Sequence, residues 1–169
     1  NTALENFSRI DILVNNAGIT RHNNIVDMSE TDWDAVLNVH LKGHFCCSKF
    51  AAISMVKQMS GRIINISSGA FIGKGGRCNY SAAKAGILGF SRALAEELAP
   101  HGITVNALLP MAATRLSKSA AKLGMKLDPG YARDQAPEVI APLVEYLAGD
   151  DASQISGYSF AMRREGIIE

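Results

Sequence analysis

Short apolar runs punctuate this chain, and longer stretches with helical spacing separate them. "DILVNNAG" (11–18) runs into a glycine turn, and "GRIINISS" (61–68) and "GITVNALLP" (102–110) repeat the form. "ISGYSFAM" (155–162) supplies a last candidate strand. Runs this apolar predict strands buried within a sheet. Between the first two, "SETDWDAVLNVHLKGHFCCSKFAAISMVKQM" (29–59) predicts one long helix, and Ser29 with Asp32 resembles a capping box at its start. "NYSAAKAG" leads into "FSRALAEELAP", where Phe90, Leu94 and Leu98 recur at i, i+4, i+8 and Arg92, Glu96 and Glu97 fall on other faces. "APEVIAPLVEYLAG" (136–149) predicts a further helix with local strain at Pro142. Strands joined by helices of this length predict an α/β fold with a doubly wound parallel sheet in one domain.

Composition narrows the function classes. The 169 residues suffice for a hydrophobic core, and a formal net charge of +1 argues against a nucleic-acid or membrane-surface role driven by charge. No apolar run approaches the roughly 18 residues of a membrane span. The start, "NTALENFSRIDILV", lacks the basic and apolar regions of a signal peptide. Cys46, Cys47 and Cys78 form no paired framework, so a reducing, cytoplasmic setting is expected.

In doubly wound sheets the chemistry gathers at the carboxyl ends of the strands. Those ends here read "NNAG", "NISSG" and "LLPMAATR". Tyr80 and Lys84, four apart on a predicted helix, share one face. A free tyrosine has a pKa of about 10, too high for proton transfer near neutrality. An ammonium about 5 Å away would favour the phenolate by roughly 3 kcal/mol at an effective dielectric near 20. That corresponds to about 2 pKa units before desolvation subtracts from it, enough for a general acid/base near pH 7–8. Ser68, at a neighbouring strand end, could hydrogen-bond the same substrate oxygen. With four tyrosines in the chain, a chance Tyr-x-x-x-Lys turns up roughly one time in four, so the pair alone decides little. The order of "NNAG", "NISS", "NYSAAKAG" and "ITVNALLP", each beside its predicted element, decides more.

That ordered set resembles the short-chain dehydrogenase/reductase family over almost the whole chain. The resemblance implies a Rossmann-like sheet, of which these residues are the C-terminal portion only. It implies NAD or NADP as cofactor and a hydride exchanged with a carbonyl/secondary-alcohol pair on a small-molecule substrate. The family's roles fall on Tyr80 as general acid/base, Lys84 as the group that lowers its pKa and binds the nicotinamide ribose, and Ser68 as the group that positions the carbonyl. Asn15, with Ala17 and Gly18 of the same turn, would meet the adenosine side of the cofactor. Pro110, Ala113 and Thr114 would meet the nicotinamide end. "VHLKG", "PMAATRLS" and "PEVIAPLVEYL" resemble the (3R)-hydroxyacyl-CoA dehydrogenase and 3-ketoacyl reductase subgroup. An acyl thioester is therefore the first expectation for substrate, and a steroid, sugar or other secondary alcohol stays open. A homo-oligomer, dimer or tetramer, is expected.

Three departures from the family pattern stand out. His40 occupies the place of an asparagine that completes a catalytic tetrad, and it is expected to serve through its backbone at a helix kink. The loop from Ser68 to Tyr80 is one residue short, which leaves Ser67 as an alternative to Ser68. A Gly-rich phosphate turn is absent, as is the residue that selects NAD or NADP; "GKGG" (73–76) is no substitute. The single domain over 1–169 is thus expected to lack the family's first βαβαβ segment and, expressed alone, to associate and bind cofactor weakly. Two other readings remain. His40, His44 and Cys47 at i, i+4, i+7 have a spacing compatible with a metal, though no metal is expected. Small residues Ala82, Ala83, Ala85, Gly86 and Gly89 would suit a non-catalytic relative acting as an assembly subunit, or close packing inside one subunit. The basic, amphipathic stretch "SKSAAKLGMKLDPGYARD" has two readings, a cover over an acyl chain that meets a phosphate-bearing carrier, and equally a solvated lid.

Overall fold

The computed structural model describes residues 2–73, 75–110, 140–163 and 166–168. A short helix α1 (Thr2–Phe7) precedes strand β1 (Ile12–Asn15). Helix α2 (Glu30–Leu37) continues through a π-helical turn (Asn38–Lys42) into α3 (Gly43–Gln58), and strand β2 (Gly61–Ile66) follows. A 3₁₀ turn (Gly69–Ile72) leads to α4 (Cys78–Leu98) and then β3 (Ile103–Leu109). Helix α5 (Ala141–Ala148), β4 (Ser159–Arg163) and β5 (Gly166–Ile168) complete the described chain. The sheet order is β1-β2-β3-β4-β5, with the first four strands parallel and β5 antiparallel to β4.

Alternation along the strands divides the core between two faces. Ile63 and Val105 pack with Ala51, Met55, Ala95 and Leu98, so α3 and α4 cover one face. Ile64 and Leu108 pack with Leu143, Leu147 and Phe160, so α5 lies on the other. Strand β3 is buried along its whole length, as a central parallel strand must be. This is the expected α/β arrangement with helices on both sides of a parallel sheet.

Several local expectations change. The run at 11–18 yields a strand of four residues at the outer position of the described sheet, and Ile12 and Val14 are exposed rather than buried. The single helix at 29–59 is interrupted by the π turn, where the Gly43 amide reaches back five residues to the Asn38 carbonyl. Ser29 does cap its start, accepting from the Asp32 amide at 3.1 Å. Pro142 lies in the first turn of α5, where its missing N–H leaves no bond unmade, so it adds no strain. The last strand begins at Ser159 rather than 155, and the hairpin into β5 and the helix α1 carried no periodic signal. Of the small residues on α4, Ala83 is buried and a Cβ on Gly86 would lie 2.9 Å from Leu41 Cδ2, so these two serve close packing within the chain. Ala82, Ala85 and Gly89 are exposed.

Candidate active site

The carboxyl ends of β1 and β2, the π turn and the first turns of α4 converge. Lys84 is buried, and its Nζ donates to the carbonyl of Ile66, the last residue of β2, at 2.6 Å. Burial pushes the lysine pKa down to about 8, which leaves it mostly protonated at neutral pH. Its Nζ lies 5.6 Å from the centre of the half-buried Tyr80 ring, as the i, i+4 spacing requires. Tyr80 is held by its neighbour: Asn79 Oδ1 accepts from the Tyr80 amide at 2.7 Å. The Asn79 Nδ2 donates to the carbonyls of Arg21 (2.9 Å) and Asp32 (3.2 Å). Sequence reasoning missed Asn79. A buried asparagine in the first turn of the helix, immediately before the tyrosine, was the available signal.

The two serines part company. Ser67 is buried, and its Oγ donates to the Lys84 carbonyl at 2.8 Å, fastening the end of β2 to α4. Ser68 is half-buried; its Oγ accepts from the Ala70 amide at 3.2 Å and caps the 3₁₀ turn. That contact uses a lone pair and leaves the Ser68 hydroxyl proton to donate, whereas the Ser67 proton is already committed.

His40 sits inside the π turn with its ring edge-on to Tyr80, centroids 5.1 Å apart. Its Nε2 lies 2.8 Å from the Ile19 carbonyl oxygen and 3.1 Å from the Ile19 amide nitrogen. One ring nitrogen serves only one of these at a time, and the shorter contact favours Nε2–H donating to the carbonyl. The imidazole therefore takes part directly, beyond the backbone role expected for it, by anchoring the segment after β1. Gly18 belongs to the same contact, since a Cβ there would lie 2.5 Å from His40 Cε1. The His40 carbonyl in turn accepts from His44 Nδ1 at 2.6 Å. Burial, then the Lys84 charge, lowers both histidines to about 4, so both are neutral at pH 7.

Asn15 points into the protein instead of outward. Its Nδ2 donates to Ser48 Oγ (3.0 Å) and Asn65 Oδ1 (2.8 Å), while Asn65 donates to Ser91 Oγ at 2.9 Å. This buried polar network joins β1, β2, α3 and α4 beneath the site. Ala17 is exposed and Pro110 half-buried at the end of β3; Ala113 and Thr114 lie outside the described residues, as does the whole basic stretch 117–134. His40, His44 and Cys47 do not converge on a metal: both histidines are buried, His44 Nδ1 is committed to a carbonyl, and Cys47 is exposed. Among the described residues no group of three or more His, Cys, Asp or Glu could hold an ion. Nor is any described helix long and apolar enough to cross a membrane.

Residues 1–123 match the short chain dehydrogenase family. The chain is 47% identical over 163 residues to a 3-oxoacyl-acyl-carrier-protein reductase of Synechocystis, covering 94% of this chain and 66% of that protein. It is 40% identical over 156 residues to the 3-oxoacyl-acyl-carrier-protein reductase FabG of Escherichia coli, covering 89% of this chain and 64% of the other. It is 41% identical over 158 residues to peroxisomal multifunctional enzyme type 2 of Drosophila melanogaster, covering 93% of this chain and 25% of that protein. The chain thus spans just under two thirds of the two reductases.

Proposed function

This chain belongs to the short-chain dehydrogenase family, and from that premise we propose that it carries the catalytic half of an NAD(H)- or NADP(H)-dependent oxidoreductase. The substrate pair is a 3-oxoacyl and a 3-hydroxyacyl thioester, the chemistry named in the reductases it resembles. The observation that carries this reading is the buried Lys84 ammonium beside Tyr80, with its one described acceptor at the end of β2. A buried cation with no carboxylate partner among the described residues is costly, and a fold keeps one where its charge is used.

The chain's own groups fit a nicotinamide ribose. Lys84 has three N–H donors and the Ile66 carbonyl takes one, so donors remain for ribose hydroxyls. A bound nicotinamide would supply the hydride. Tyr80 gives its phenolic proton to the carbonyl oxygen in reduction and takes it back in oxidation. The neighbouring ammonium favours the phenolate that remains. Ser68 donates its hydroxyl proton to the same oxygen and orients it. His40 and Asn79 fix the walls: one ties the segment after β1, the other the first turn of α4. Gly18 and Pro110 border the place where the cofactor would lie.

A homo-oligomer is part of the same proposal, supported by the exposed Phe45, Phe50 and Ile53 on α3, and so is a reducing, cytoplasmic setting, supported by the free Cys46, Cys47 and Cys78. The test is a full-length protein mixed with NADH or NADPH and a 3-oxoacyl thioester. Substrate-dependent loss of reduced cofactor is expected, and its absence with both cofactors and with acyl-carrier and coenzyme A thioesters would refute the reading.

A further inference from the structure

His44 is a buried polar residue that the mechanism does not use. It is 2% exposed, on the first turn of α3, and its Nδ1 lies 2.6 Å from the His40 carbonyl oxygen. A ring nitrogen so close to a carbonyl must carry the proton, which fixes the tautomer with N–H on Nδ1. The opposite nitrogen, Nε2, has no hydrogen-bond partner among the described residues. The ring therefore makes one hydrogen bond among those residues while bearing the cost of burying an imidazole. An apolar side chain would fill the space without that cost, so the bond to His40 is what the polar ring contributes.

The accepting carbonyl stands where the helix changes register. In a regular α-helix the carbonyl of residue 40 would accept from the amide of residue 44. The π turn over Asn38–Lys42 disturbs that pattern, and the Gly43 amide is shared between the carbonyls of Asn38 and His40. The side chain of His44 brings a second donor to the same His40 oxygen. His40 also carries the imidazole that stands edge-on to Tyr80, with centroids 5.1 Å apart, and that bonds Ile19. The backbone of His40 is thus held by His44 and its ring by Ile19.

We propose that His44 is a positioning residue for His40: its Nδ1–H holds the His40 carbonyl and fixes the π turn in the form that sets the His40 ring against Tyr80. With the Gly43 amide and the His44 ring upon it, that carbonyl has both lone pairs engaged. The backbone of residue 40 is then served from within the chain. Without the donor the turn relaxes, and the ring moves from its place beside Tyr80 and Gly18. The consequence for catalysis rests on the dehydrogenase reading; the hydrogen bond and its hold on His40 do not.

The test uses the full-length protein. In nitrogen NMR of the parent without cofactor, His44 is expected to carry its proton on Nδ1, coupled across the hydrogen bond to the His40 carbonyl carbon. A proton on Nε2 instead overturns the proposal, and this measurement needs no variant. His44→Phe keeps an aromatic ring and removes the donor, whereas His44→Asn keeps an N–H donor near the place of Nδ1. His44→Leu is a second donor-free variant should phenylalanine not fold. The His40 ring signals should shift in the donor-free variant and return toward the parent's in His44→Asn. Turnover should fall on the order of 10-fold or more without the donor, with KM for the cofactor little changed, and asparagine should recover most of it. A residue that serves stability alone would lower the unfolding midpoint and leave the His40 signals and kcat unmoved; that result overturns the proposal. A parent without turnover refutes the dehydrogenase reading, and the His40 signals still decide the role of His44.

Discussion

A Cβ on Gly18 would stand 2.5 Å from Cε1 of His40, whose Nε2 is bonded to Ile19, the next residue along. The glycine and the histidine are thus two halves of one contact, and position 18 has no room for a side chain while the ring stays in place. Gly18→Ala is expected to destabilise the fold by about 1–3 kcal/mol, because the ring cannot withdraw without breaking its bond to Ile19. A shorter side chain at position 40 should relieve it. Thermal unfolding of Gly18→Ala, His40→Asn and the double variant should show strong non-additivity; purely additive shifts would contradict the contact.

His40→Asn has a second expected outcome. An amide carries both a donor and an acceptor, so it can still bond the Ile19 backbone, whereas leucine can do neither. Turnover should stay substantial in His40→Asn and fall steeply in His40→Leu. Equal and complete loss in both would assign the imidazole itself to the proton path.

The buried histidines also set a pH dependence. Both have folded pKa values of about 4 against an ordinary 6.5, so between those values the unfolded chain binds more protons than the folded one. Stability is then fully present above about pH 6.5 and is lost as pH falls toward 4. Denaturant midpoints measured across that window should drop, and the drop should be smaller in His44→Leu. A flat profile would show that the histidines are not desolvated.

Lys84 works in the opposite part of the scale. Its folded pKa of about 8 lies below the ordinary 10.5, so folding carries a penalty for the buried charge below about pH 8 that is relieved as pH rises toward 10.5. Lys84→Met should therefore be at least as stable as the parent at pH 7 while losing turnover and cofactor affinity. A marked loss of stability in that variant would mean that the Ile66 hydrogen bond outweighs the desolvation.

Much of this was legible from pattern alone. The Tyr80–Lys84 pairing follows from helical spacing, and the alternation of Ile63 and Ile64 between two cores follows from strand period. The parallel order follows from helix-length connections. Other features depended on tertiary geometry. The π turn is hard to read from hydrophobic periodicity because it covers a single turn, too short for the phase slip of one residue to stand out. Which serine donates to what depends on whether a backbone carbonyl happens to lie opposite, as Lys84 O does for Ser67. Asn15 stands at the strand end its motif marks, yet strand pairing sets it beside Asn65 and turns its amide inward.

That inward network gives a further expectation. Asn65→Ala would leave Asn15 and Ser91 short of a buried partner and open a small cavity, at a cost of about 3 kcal/mol. Asn15→Ala should destabilise by about 1–2 kcal/mol while its direct effect on cofactor affinity is slight. Calorimetry and a cofactor titration on the same samples separate the two effects. A large affinity loss at unchanged stability would place Asn15 on the cofactor instead.

The central claim is that Tyr80 moves the proton beside a charged Lys84. In the full-length protein, Tyr80→Phe keeps the ring against His40 and removes only the hydroxyl. The decisive measurement is single-turnover reduction of a 3-oxoacyl thioester by this variant, with cofactor affinity determined in parallel. A fall on the order of 10³-fold or more with cofactor affinity nearly intact is predicted, the loss expected when a general acid is removed. Near-normal turnover in Tyr80→Phe would contradict the account.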